Sequence, residues 1–62
     1  MTKLIDLERH LRAHGATPLR EGGKHSVWIA PQAPRPVTVP RHREIPPMTA
    51  RAICKQLGVP PI

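Results

Sequence analysis

Proline placement divides this chain before any other signal does. Proline has no backbone N–H and a nearly fixed φ, so it belongs at element ends, in turns and on sheet edges. The nine prolines stand at 18, 31, 34, 36, 40, 46, 47, 60 and 61. Regular elements must therefore be short and must fit the windows between them.

The first window reads as a helix from Lys3 to His14. Leu4, Leu7 and Leu11 recur at helical spacing, with Ile5 widening the stripe. Thr2 is the expected N-cap, Asp6 and Glu8 suit the positive end of the helix dipole, and Gly15 is the expected left-handed stop. Ala16 to Glu21 predicts a short first strand opened by Thr17-Pro18, with Leu19 as its one inward residue. Gly22-Gly23 predicts a turn. His25 to Ala30 predicts the clearest strand. His25, Val27 and Ile29 fall on one face and Ser26, Trp28 and Ala30 on the other, and the pattern does not decide which face is the core. Pro31 to Pro36 reads as a stiff hairpin loop. Val37-Thr38-Val39 is a third strand stopped by Pro40. Arg41 to Glu44 is a basic connector. A second helix begins near Pro47, buries Ala50, Ile53, Cys54 and Leu57, and ends at Gly58 before Pro60-Pro61. The expectation is an α+β chain in a two-layer sandwich: helix, three antiparallel strands, helix, with both helices on one sheet face.

At 62 residues the chain has room for a single domain, 1–62, whose core supplies only about 3–5 kcal/mol. Cys54 is the only cysteine, so neither a disulfide within the chain nor a multi-cysteine metal site is available. No apolar run has the length of a membrane span and no signal peptide is evident, so a cytoplasmic protein is expected. Ten Lys and Arg against four Asp and Glu give a net charge of +6, and the pI is about 11.3. That balance points to a polyanionic partner.

Little conventional catalytic chemistry is on offer. Asp6 and Glu8 lie in the first helix, while Glu21 and Glu44 stand alone, so no carboxylate pair serves hydrolysis. Gly22-Gly23-Lys24 lacks the spacing of a phosphate-binding loop. Cys54 lies on an apolar stripe, where packing explains it. His10 and His14 are four apart on one helix, but no third ligand accompanies them, so neither a metal nor another cofactor is expected. What remains is His25, in a turn with Lys24 and in a chain that also carries Arg20, Arg41 and Arg43. Metal-free RNA cleavage needs a base for the ribose 2′-OH, cations for the charge on phosphorus and an acid for the leaving oxygen. His25 with those cations can supply the first two. On these residues alone, a histidine that merely contacts phosphate or packs against Trp28 remains an alternative. Trp28 itself is open to stacking on a base or to core packing, and His42 to proton transfer or to a plain surface role.

The run Gly22-Gly23-Lys24-His25-Ser26-Val27-Trp28 resembles the glycine–histidine turn of HicA-type toxins. Val37-Thr38-Val39-Pro40-Arg41-His42 is similar to the third-strand segment of that family. Glu44 to Thr49, Arg51 to Gly58 and the leading helix with Gly15 are similar as well, in the same order along nearly the whole chain. The resemblance implies a double-stranded-RNA-binding-like fold and a metal-independent mRNA endonuclease toxin, with His25 catalytic. It also implies a HicB-type antitoxin covering the site, with oligomers arising mainly through that complex. Lys24 stands where the family often has serine, and the loop from Ala30 to Pro36 is richer in proline than usual. A non-catalytic RNA-binding module of the same fold is the alternative, and a protein whose basic face matches an acidic partner is a third.

Overall fold

A computed structural model describes residues 1–62. Its elements are β1 (Thr2–Lys3), α1 (Leu4–Ala13), β2 (Thr17–Glu21), β3 (His25–Ile29), β4 (Val37–Pro40), β5 (Glu44–Ile45) and α2 (Pro47–Leu57). Three prolines enter an element. Pro18 lies in β2, Pro40 closes β4 and Pro47 opens α2. Both strands are edges of the antiparallel sheet, whose order is β2-β3-β4, so neither proline interrupts a central strand. No helix is long and apolar enough to cross a membrane.

Register decides the question that alternation along β3 leaves open. Ser26 faces Val39 and Trp28 faces Val37, and all four are buried together with Ala30. Leu7 and Leu11 of α1 and Ala50, Ile53, Cys54 and Leu57 of α2 pack into the same core cluster. The two helices thus cover the Ser26–Trp28–Ala30 face, as the α+β sandwich requires. The opposite face carries His25, Val27 and Ile29, and it is open.

Trp28 is 0 % exposed. Its indole N–H donates to the Ser26 hydroxyl at 3.2 Å, which satisfies a polar pair inside the core. The Arg12 guanidinium lies over the ring at 5.2 Å from its centroid. Trp28 is therefore a core residue and has no face free to stack on a base.

Three expectations need correction. Thr2 does not cap α1: Lys3 holds the cap position, without a side-chain hydrogen bond. Thr2 instead pairs with Ile45, and Lys3 with Glu44, in a second, two-stranded sheet. The Arg41–Glu44 connector is accordingly anchored at its end, and the Leu4 N–H donates to the Arg43 carbonyl at 2.9 Å. Pairing between the N-terminus and residues 44–45 is non-local, and strands of two residues carry no readable periodicity. Finally, Leu19 is not inward but 59 % exposed. The β2–β3 register shifts between Pro18 and Arg20, so Leu19 is the extra residue of a bulge and turns outward.

Candidate catalytic turn

The turn between β2 and β3 is built from backbone hydrogen bonds and one arginine. The Gly22 N–H donates to the His25 carbonyl at 2.7 Å, and the Arg41 N–H donates to the Lys24 carbonyl at 2.9 Å. The Arg41 guanidinium donates through Nη1 to the Gly22 carbonyl at 3.0 Å. A β-carbon added at Gly22 would lie 2.9 Å from the His25 carbonyl oxygen, whereas one at Gly23 would meet nothing within 4 Å. Of the two glycines, only Gly22 is demanded by close approach, and neither has a left-handed φ.

The turn delivers His25 to the first residue of β3, on the open face. There it is exposed and lies opposite Pro40. Arg20 pairs with Val27, so it projects from the same face, diagonal to His25 and within the reach of long side chains. Lys24 immediately precedes the histidine, and Arg41 follows its cross-strand partner. The fold thus gathers Arg20, Lys24, His25 and Arg41 around one sheet corner. All four are exposed.

Arg43 is not part of that group. It lines a depression at the start of α1 with Lys3, Ile5, Glu8 and Glu44. His42 borders a different depression with Pro40, Glu44 and Thr49. His10 and His14 are also elsewhere. Their rings lie 4.7 Å apart, and His10 Nε2 hydrogen-bonds to the Pro60 carbonyl at 2.6 Å. A carbonyl only accepts, so the ring nitrogen is the donor. No group of three or more His, Cys, Asp or Glu side chains comes together as a metal cluster. Cys54 is buried, and that burial pushes its thiol pKa up, away from the thiolate a nucleophile needs.

His25 does not line any of four surface depressions of the protein. Small-molecule enzymes enclose most of their substrate in a cleft. His25 stands instead on an open sheet corner, accessible from solvent. The side-chain hydrogen bonds of the protein involve His10, Trp28, Gln32 and Arg41, so no side chain orients the His25 ring. The part that reasoning from the sequence missed is the Arg41–Gly22 contact. Arg41 was legible as a cation, but its proximity to the turn depends on the β3–β4 register.

A family model described as the HicA toxin of bacterial toxin–antitoxin systems matches residues 6–59. No curated protein and no solved structure matched the chain. The match takes in α1 from Asp6 onward, the three-stranded sheet, the His25 turn and α2, and the chain belongs to the HicA toxin family.

Proposed function

We propose that this toxin is a metal-independent endoribonuclease that cuts mRNA in the cytoplasm, with His25 as the proton-transfer group. The observation that carries the reading is the placement of His25: exposed, at a strand end held by a hydrogen-bonded turn, with Lys24, Arg20 and Arg41 around it. In the reaction the neutral imidazole takes the proton of a ribose 2′-OH. That oxygen attacks the adjacent phosphorus to form a 2′,3′-cyclic phosphate, and the bond to the 5′ oxygen breaks as that oxygen takes a proton from water. Lys24 is adjacent to His25 and stabilises negative charge on the phosphoryl oxygens. Arg20 holds a flanking phosphate, Arg41 stands at the same corner with its guanidinium on the Gly22 carbonyl, and Arg43 extends the basic surface toward the start of α1. A HicB-type antitoxin inhibits by covering the His25 corner, and the net charge of +6 favours rapid association with an acidic partner.

The test is cleavage of a labelled RNA by pure protein in EDTA, wild type against His25→Ala. Cleavage by the wild type and a loss of at least about 10²-fold in the variant are expected. Undiminished cleavage by His25→Ala would remove the histidine from the mechanism. Loss of wild-type activity in EDTA would instead remove the metal-free route.

One observation favours a second reading, a toxin that binds RNA without cutting it. No partner fixes the His25 tautomer, whereas catalytic histidines are commonly oriented by a second group. That form would retain RNA with a steep salt dependence and leave it intact after prolonged incubation.

A further inference from the structure

We infer that Arg41 is a positioning residue for the His25 turn, acting on the reaction through Gly22 and Lys24 rather than chiefly as a phosphate contact. The catalytic half of this inference rests on the ribonuclease reading above; the structural half does not.

The register shows why Arg41 falls where it does. His25 and Pro40 are cross-strand partners, and the Arg41 N–H reaches the Lys24 carbonyl one residue beyond them. His25 and Pro40 therefore form a non-hydrogen-bonded pair, the position at which a missing N–H leaves no gap in the ladder. Arg41 supplies the next rung. From that rung its side chain folds back to the Gly22 carbonyl at 3.0 Å. One residue thus holds carbonyls on both sides of Gly23, and Gly22 in turn donates to His25. The loop has no other side-chain tie: the remaining side-chain hydrogen bonds lie at His10, Trp28 and Gln32. Removing the guanidinium leaves the backbone rung in place but frees the Gly22 carbonyl. Gly22, Lys24 and the backbone of His25 then lose a charge-assisted constraint.

The experiment compares wild type with Arg41→Ala, Arg41→Gln and Arg41→Lys in three measurements. Amide hydrogen exchange at Gly22 reads the turn, with the Trp28 amide as the control in the core. Single-turnover cleavage of a labelled RNA separates kcat from KM. RNA binding against salt, measured with His25→Ala in every protein, reads phosphate contacts. For Arg41→Ala and Arg41→Gln, Gly22 exchange should rise about tenfold while Trp28 is unchanged. The rate kcat should fall at least about tenfold with KM within about twofold. The salt slope should stay at the wild-type value. Arg41→Lys, which can still donate to the carbonyl, should restore both exchange protection and kcat.

Unchanged Gly22 exchange in Arg41→Ala and Arg41→Gln overturns the inference. So does a salt slope lowered by about 1 with KM raised and kcat intact, which marks a phosphate contact. If Arg41→Ala does not fold, the glutamine and lysine variants decide. If the wild type does not cleave RNA, the ribonuclease reading fails, and Gly22 exchange still decides whether Arg41 holds the turn.

Discussion

At the scale of single residues, the His25 corner depends on small distances. Gly22 has no room for a methyl group because the His25 carbonyl would be 2.9 Å away. That oxygen belongs to the backbone of the strand that carries the histidine, so it cannot move without moving His25. Gly22→Ala should therefore reduce RNA cleavage by about 10–100-fold. Gly23→Ala, with open space around the new methyl, should stay within about twofold. The same cleavage assay checks both. Equal losses would mean that the pair matters for backbone freedom and not for close approach. The sequence shows two adjacent glycines and does not distinguish them. The difference arises because Gly22 lies against the strand after the turn, while Gly23 is at its tip.

Both helices end with the same device. Gly15 has φ +90 and Gly58 φ +73. After α1 the Gly15 and Ala16 N–H groups donate to the Arg12 and Leu11 carbonyls, and after α2 the Gly58 and Val59 N–H groups donate to the Lys55 and Cys54 carbonyls. In each case the residue after glycine, Ala16 or Val59, is buried. This satisfies the last carbonyls and turns an apolar residue back onto the core. A β-carbon in this conformation costs about 1–2 kcal/mol. Gly15→Ala and Gly58→Ala should each lower stability by that amount in urea denaturation. Gly58→Ala should be the worse of the two, because its methyl would also meet Gln32 Cγ at 2.7 Å. A smaller loss for Gly58→Ala would show that Gln32 moves freely aside. Helix ends were legible because glycine after an apolar stripe reports a local backbone requirement. The β1–β5 pair was not, since its reason to form lies in a distant segment.

For the molecule as a whole, one core cluster of thirteen residues joins both helices to one sheet face, and a core of this size supplies only about 3–5 kcal/mol. Single buried groups therefore weigh heavily, and Cys54 makes the pH dependence testable. Burial raises its thiol pKa, so the folded chain keeps a proton that the unfolded chain releases near about pH 8.5. The corresponding stability is complete below the unfolded pKa and is lost as pH rises through the folded one. Between pH 7 and 10, wild type should lose more stability than Cys54→Ala, measured by urea midpoints at each pH. Equal losses would show that the thiol titrates alike in both states. In the same interval the native thiol should react with Ellman's reagent only as fast as the chain opens.

The class of fold, the two helices, the three main strands and a basic chain with His25 beside a glycine turn were all legible in the order of the amino acids. These follow from local causes: apolar spacing, proline exclusion, glycine conformation and net charge act within a few residues. Tertiary structure alone decided which face of β3 is buried, since alternation is symmetric until the helices choose a side. That choice sends Trp28 inward and His25 outward. It also decided that Leu19 bulges out, that Arg43 stands apart from the corner, and that Arg41 closes the His25 turn. Each depends on register between segments far apart in the chain, and register is set by the packing of the whole core.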